Sequence, residues 1–160
     1  MGKLINRFVN LVVTILIVND DRVGVKDLLS SFQKNNMDKI AYIPPSGTKI
    51  RKFPTLQKMI NDKKRLVVFV TSAHDGAPFL LNEWDYIWET AWENTNKKDM
   101  HSCEVDRPAK YTGEDGLQIA EQDGVVPLLN WFLYKDSGLG ILRPLVEEVC
   151  QKYFLFTLSL

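Results

Sequence analysis

Two apolar runs rich in β-branched residues, the first interrupted only by Thr14, constrain the fold of this chain more than any other feature of its sequence. The runs are Leu11–Val18 and Arg65–Thr71, and the second contains Leu66-Val67-Val68-Phe69-Val70. Strands that are buried on both faces, as in parallel sheets, are continuous apolar runs rather than alternating ones. The sequence therefore predicts that both runs are buried parallel strands.

Segments with the apolar spacing of helices separate and follow these runs. The predicted helices are Val23–Asn35, Thr55–Asn61 and Ala77–Trp88, and two further strands are predicted at Lys39–Ile43 and Val125–Leu133. The polar stretch from Asn94 to Gln122 contains Pro108, Gly113 and Gly116 and is predicted to be a surface excursion. Alternation of strands and helices in this order is typical of an α/β fold with a parallel sheet.

The first apolar run has a second interpretation. Lys3 and Arg7 precede it, so it could be the hydrophobic core of a signal peptide. Asn19-Asp20-Asp21 follows instead of a cleavage site with small residues, and the run is shorter than the ~20 residues of a membrane-spanning helix. A buried strand is favoured, and the signal peptide stays as the alternative.

The composition excludes several classes of protein. The 160 residues suffice for one domain, and 45% hydrophobic with 25% charged residues is typical of a globular chain. Twenty basic residues balance twenty acidic ones, so broad nucleic-acid binding has no electrostatic support. The two cysteines, Cys103 and Cys150, are too few for a disulfide scaffold. No G-x-G-x-x-G or P-loop motif points to a nucleotide cofactor.

Candidate functional residues lie at or just after the carboxyl ends of the predicted strands, because ligands of parallel α/β folds bind there. These residues are Asn19, Asp20, Asp21, Tyr42, Thr71, Ser72, His74, Asp75, Asn130 and Trp131. Capping roles are the alternative for Asp20-Asp21 and for Thr71-Ser72. His74 beside Asp75 has the chemistry of a general acid or base, but adjacent loop residues rarely orient one another. With two histidines in the chain, a metal site is not expected.

Seven segments, in order, resemble those of the fungal phospholipase C-like phosphodiesterases, relatives of phosphatidylinositol-specific phospholipase C with a TIM-barrel fold. The segments are Val12–Asn19, Asp38–Pro45, Phe53–Leu56 with Met59-Ile60, Lys64–Val70, Leu81–Tyr86 with Trp88-Glu89-Thr90, Cys103–Pro108, and Leu128–Leu133. The resemblance implies a partial TIM barrel over residues 1–142, with about half of the usual eight strands. Residues 143–160 form a divergent tail.

The resemblance also implies a function: hydrolysis of phosphoric diesters in lipid metabolism, by acid/base catalysis with two histidines and without a cofactor. The family's histidines lie on earlier strands that this sequence does not match, so the alternative is an inactive fragment. This chain departs from the family at two positions: the family usually has an acidic residue where Thr71 stands and a histidine where Trp131 stands. Its substrate would be a phosphodiester or phospholipid-like molecule, contacted by Asn19, Tyr42, Thr71, Glu89 and Asn130. Family members are often secreted.

Two residues of the polar excursion carry separate predictions. We expect Cys103 and Cys150 to be unpaired, although Cys150 is the only possible disulfide partner of Cys103 in the chain. Arg107 stands between Asp106 and Pro108 and is predicted to anchor the excursion through an ion pair or a carbonyl contact. A contact with a substrate phosphate is the alternative for Arg107.

Overall fold

The computed structural model describes residues 10–45, 53–131, 133–136 and 142–144. The chain divides into two compact units, Met1–Tyr86 and Ile87–Leu160, which we call the amino-terminal and carboxy-terminal units. Parallel strands combined with short helices occur in both, so the α/β class predicted from the sequence is confirmed.

The amino-terminal unit is built on a three-stranded parallel sheet in the order β1-β2-β3. Its strands are β1 (Val13–Ile17), β2 (Leu66–Val70) and β3 (Leu80–Asn82), and its helices are α1 (Val25–Lys34), α2 (Leu56–Asn61) and α3 (Glu83–Tyr86). The register pairs Val13 with Leu66 on one side of β2 and Val68 with Leu80 on the other. The predicted strand at Arg65–Thr71 is thus the central strand of the sheet.

Burial differs sharply between the two predicted strands. All five residues of β2 are buried, with Leu66, Val68 and Val70 at 0% exposure. One face of the sheet packs against Phe32 of α1 and against Phe79. The strand β1 is parallel as predicted, but the prediction that it is buried is wrong: four of its residues are half-buried, Thr14 is exposed, and Val18 just beyond the strand is 61% exposed.

Two of the three predicted helices form close to their expected bounds. In α1, Leu28, Leu29 and Phe32 face the core because they recur at helical spacing. Helix α2 begins after Thr55, whose side-chain hydroxyl accepts a hydrogen bond from the Lys58 amide at 3.2 Å. Such a cap satisfies an amide that has no partner inside the helix.

The carboxy-terminal unit contains two small sheets. Strands β4 (Ile87–Glu89) and β5 (Val126–Leu128) pair in parallel, and β6 (Tyr134–Asp136) and β7 (Leu142–Pro144) pair antiparallel; the helices are α4 (Lys97–Met100) and α5 (Gly116–Asp123). Trp88, Tyr111 and Ala120 form its core. The predicted surface excursion therefore contains α4, a 3₁₀ turn at Ala109–Tyr111, α5 and two core residues.

The helix predicted at Ala77–Trp88 is wrong. The segment forms β3, the single-turn helix α3 and β4. Leu80 and Leu81 pair with β2, where the sheet offers backbone hydrogen bonds and two apolar faces. Apolar residues at positions 80, 81, 84 and 88 fit a helical stripe equally well, because short buried strands and helices share such patterns.

The strand predicted at Lys39–Ile43 is also wrong. Asp38–Ile40 forms a 3₁₀ turn, and only Ala41 makes a bridge to Leu66, after which the Tyr42 amide donates to the Leu66 carbonyl at 2.7 Å. Pro44 and Pro45 lack the amide hydrogens that a longer strand would need. The strand predicted at Val125–Leu133 is shorter than expected, since pairing ends at Leu128.

Two predictions fall on residues that the structure does not fully describe. The tail at 143–160 lies outside the described residues apart from Arg143 and Pro144, which belong to β7. Cys150 lies outside them as well. Cys103 is a free, exposed thiol.

Candidate functional site

Asn19 organises the carboxyl ends of β1 and β2. Its backbone amide donates to Thr71 Oγ1 at 2.9 Å, and its side-chain Nδ2 donates to Ser72 Oγ at 3.2 Å and to the Val23 carbonyl at 3.0 Å. Its Oδ1 accepts from the Val23 amide at 2.9 Å. Two of the predicted site residues, Asn19 and Thr71, are therefore in direct contact.

These bonds leave the Asn19 side chain little capacity for a ligand. Both of its amide hydrogens have backbone or hydroxyl acceptors, and the residue is 7% exposed. The contacts close a tight loop from position 19 to 23, in which Asp20 and Asp21 are exposed. Neither aspartate caps α1, whose N-cap position is Gly24. Asn19 positions this loop and the Thr71-Ser72 hydroxyls.

Tyr42 lies in a cluster of four aromatic rings. Its ring is 5.9 Å from that of Phe53, and Phe53, Phe69 and Tyr86 lie within 5.7–6.0 Å of one another. Phe69 belongs to β2, so this cluster, which we call the aromatic cluster, is anchored on the central strand. It covers the face of β2 opposite the one that packs on α1, since Leu66, Val68 and Val70 belong to the α1 side.

Both phenols of the aromatic cluster resist ionisation. Burial raises the pKa of Tyr42 above its ordinary value of 10.0. Burial, and then the negative charges of Asp85 and of an ionised Tyr42, raise the pKa of Tyr86. At neutral pH both hydroxyls are uncharged and can act as hydrogen-bond donors.

Glu89, at the carboxyl end of β4, is bound to Arg107. The carboxylate Oε2 accepts from Arg107 Nη2 at 2.6 Å and from Nε at 2.8 Å, with the Glu89 side chain 5% and the Arg107 side chain 37% exposed. The Glu89 amide also donates to the Arg107 carbonyl at 2.8 Å. The ion pair predicted for Arg107 is present, and it closes the base of the loop from 90 to 106.

The guanidinium of Arg107 also lies near an indole ring. Its carbon is 5.8 Å from the centroid of Trp92, whose ring contacts Tyr134 edge-on at 5.9 Å. Trp92 is 40% exposed. A cation, a buried carboxylate and an exposed aromatic face thus occur together at the end of β4.

Asn130 ties the end of β5 to the end of β4. Its amide donates to Thr90 Oγ1 at 2.9 Å, and its Nδ2 donates to the Thr90 carbonyl at 2.8 Å. Asn94 Nδ2 donates to the Asn130 carbonyl at 3.2 Å. Thr90, Asn94 and Asn130 are each less than 10% exposed, so this is a buried polar network. No local pattern could have singled out Asn94, because its partner is 36 residues away.

The two histidines have different surroundings. His74 Nδ1 lies 3.4 Å from Asp75 Oδ1, and the Asp75 side chain is fully exposed. His101 contacts the Trp131 ring edge-on at 5.6 Å.

Among the described residues, no three His, Cys, Asp or Glu side chains are grouped so that they could hold a metal ion. No helix in the described part of the chain is long and apolar enough to cross a membrane.

With this geometry in place, comparison with known proteins identifies the family. The sequence profile of the family PI-PLC X 1 matches residues 1–127, so the chain belongs to the PI-PLC X family. This confirms, at the level of the family, the relationship to phosphatidylinositol-specific phospholipase C that the order of the seven segments predicts.

Two curated proteins of Arthroderma benhamiae are similar to this chain. PI-PLC X domain-containing protein 1 is 37% identical over 103 residues, which are 62% of this chain and 33% of that protein. An uncharacterized secreted protein is 34% identical over 100 residues, which are 61% of this chain and 22% of that protein. The chain therefore spans a third or less of the length of these relatives. No solved structure matches it significantly.

Replacing Asn19 with Asp tests its positioning role. The aspartate side chain can still accept the hydrogen bond from the Val23 amide. It can no longer donate to the Val23 carbonyl or to the Ser72 hydroxyl, and its negative charge lies next to the Val23 carbonyl oxygen. We expect the free energy of unfolding to fall by about 1–3 kcal/mol. Asn61→Asp, at an exposed position where the side chain only accepts a bond, is the matched control and should change it by less than about 0.5 kcal/mol. Equal effects in urea denaturation would contradict the role.

The Glu89–Arg107 pair should respond asymmetrically to the loss of either partner. Arg107→Met leaves the buried Glu89 carboxylate without this cation and should cost about 3 kcal/mol or more. Glu89→Gln leaves a guanidinium that is already partly in water, so we expect a smaller loss of about 1–2 kcal/mol. Denaturant unfolding of both variants gives the comparison. A larger loss for Glu89→Gln would show that the pair is not held as described.

The raised pKa values of Tyr42 and Tyr86 predict a stability change in alkali. A phenol whose folded-state pKa is raised stabilises the folded state below the unfolded-state pKa of about 10, and this contribution is lost as pH rises through the folded-state value. Melting temperatures measured from pH 8 upwards should therefore fall above about pH 10. Tyr42→Phe should flatten that decline, and an unchanged pH profile would contradict the burial of the phenol.

Proposed function

We propose that this chain serves the hydrolysis of phosphoric diesters in lipid metabolism, as a phospholipase C-like phosphodiesterase domain. The observation that carries the proposal is the PI-PLC X match, which extends over residues 1–127. A relative that is 37% identical over 103 residues has the printed name PI-PLC X domain-containing protein 1, which supports the same assignment.

The arrangement of strands supports a partial TIM barrel as the scaffold. Three parallel strands in one sheet, with α1 packed on one face and the aromatic cluster on the other, are what a segment of such a barrel would contain. In a barrel the active site lies at the carboxyl ends of the strands. Asn19 and Thr71 follow β1 and β2, and Glu89 and Asn130 lie at or just after the ends of β4 and β5.

We assign the substrate-side residues different tasks. Tyr42 would donate a hydrogen bond from its neutral phenol to a phosphate or headgroup oxygen. Glu89 would act through Arg107, whose positive charge it orients for an anionic group. Thr71 would present its hydroxyl, with Asn19 holding it in place. Asn130 would keep the end of β5 against β4.

The acid/base step is the part of the reaction that these residues do not supply. Acid/base cleavage by a histidine pair needs two imidazoles on opposite sides of the scissile phosphate. The chain has two histidines, and His74 and His101 belong to different compact units. Neither unit can therefore assemble such a pair by itself. Residues 1–160 alone are expected to bind substrate without turning it over, and an inactive binding protein is the second candidate function.

Binding and turnover can be measured separately on the expressed chain. We expect residues 1–160 to bind vesicles that contain phosphatidylinositol and to release no inositol phosphate above background. Tyr42→Phe should weaken binding by about three- to tenfold at neutral pH, the effect of losing one hydrogen bond. Tyr111→Phe is the matched control: it also loses one hydroxyl, which bonds Asp123 at 2.9 Å, but lies outside the proposed contacts.

Two outcomes would contradict the proposal. Absence of binding to phosphatidylinositol vesicles and to a soluble phosphodiester would remove the substrate-side role. Turnover that disappears in His74→Ala but persists in His101→Ala would show that His74 is catalytic and that the histidine pair is not required.

A further inference from the structure

Tyr86 places a second phenol in the aromatic cluster, alongside that of Tyr42. It is the last residue of α3, just beyond the carboxyl end of β3, and its side chain is half-buried. Its ring lies 5.8 Å from that of Phe69 on β2 and 5.7 Å from that of Phe53. Ligands of parallel α/β folds bind beyond the carboxyl ends of the strands, so Tyr86 stands where a substrate contact is expected.

Two observations place the hydroxyls of Tyr42 and Tyr86 near each other. Both rings contact the ring of Phe53, at centroid distances of 5.9 Å and 5.7 Å. Burial raises the pKa of Tyr86, and the negative charges of Asp85 and of an ionised Tyr42 raise it further. A charge near the protein surface has such an effect over short distances only. The two phenols therefore form a pair on the face of β2 opposite the one that packs on α1.

Two neighbouring neutral phenols suit a phosphodiester. Such a group carries one negative charge shared by two non-bridging oxygens, and each oxygen can accept a hydrogen bond. Hydrogen bonds to a charged acceptor are about twice as strong as those between neutral groups. Burial raises the pKa of both phenols, so each keeps a hydrogen to donate at neutral pH.

We propose that Tyr42 and Tyr86 act as a pair that binds a single phosphate, with each phenol donating to one non-bridging oxygen. Tyr86 is then a further substrate-binding residue. The pair rests on the proposed phosphodiesterase function and narrows the role of Tyr42, which contacts the phosphate and not the headgroup.

The charge of Asp85 separates an anionic ligand from a neutral one. Its carboxylate is exposed, and after burial it is the next cause of the raised pKa of Tyr86, so it lies near that phenol. It repels a phosphate held there, and Asp85→Asn should tighten vesicle binding about two- to threefold. The matched control is Asp27→Asn, which removes the same charge from α1 on the opposite face of the sheet and should change binding less. Equal effects would speak against an anion at Tyr86.

Vesicle binding by Tyr86→Phe tests the pair directly. The variant keeps the ring and loses only the hydroxyl, so it should bind phosphatidylinositol vesicles about three- to tenfold more weakly. Phosphatidylglycerol shares the phosphodiester but not the inositol, and binding to its vesicles should weaken by the same factor. Combining Tyr42→Phe with Tyr86→Phe should cost less than the product of the two single losses, because both hydroxyls hold the same phosphate. Tyr111→Phe is the control here too and should bind as the wild type does.

The outcomes distinguish the pair from the function on which it rests. If the wild type binds neither phosphatidylinositol vesicles nor a soluble phosphodiester, the proposed function fails and the pair fails with it. If the wild type binds and Tyr86→Phe binds equally well, the pair alone is overturned. A loss confined to phosphatidylinositol, or a double variant whose loss equals the product of the single losses, would also overturn the pair, because the phenols would then contact the headgroup or separate groups.

Discussion

The rest of the amino-terminal unit depends on the burial of β2. This strand pairs with β1 on one side and β3 on the other, and none of its residues is more than 5% exposed. On one face of β2, Leu66, Val68 and Val70 belong to the core that packs on α1. On the other face, Phe69 contacts the aromatic cluster, which includes Tyr42. A polar residue within β2 would have no water on either face, which is why the run is uninterrupted.

Side-chain amides play the same role at the strand ends of both units. Asn19 bonds the backbone at Val23 and the Ser72 hydroxyl, and Asn130 bonds the backbone at Thr90. In each case the asparagine side chain makes hydrogen bonds just beyond the point where the backbone pairing of the strands ends. Asn19 and Asn130 are thus loop anchors, and the contacts that we propose for an anionic substrate fall to Tyr42 and the Glu89–Arg107 pair.

Sequence reasoning succeeded where one pattern had one structural solution. The apolar run at Leu66–Val70 forms the buried strand that it predicts, and the helix predicted over Thr55–Asn61 begins after Thr55. It failed at Ala77–Trp88, where the spacing of Leu80, Leu81 and Trp84 fits a helix as well as two short strands. The ion pair of Arg107 was predictable, but its partner Glu89 was not, since 18 residues separate them. Long-range pairing depends on the fold as a whole and leaves no local signal.

Native-state hydrogen exchange tests the central role of β2 most directly. Amides of β2 should exchange only by global unfolding, because both neighbours must separate before they meet water. In β1, the amides of Val13, Ile15 and Ile17 should be protected, and those of Thr14 and Leu16, which face away from β2, should exchange faster. Exchange of the β2 amides as fast as that of Thr14 would contradict the account, because β2 would then not be the strand that holds the unit together.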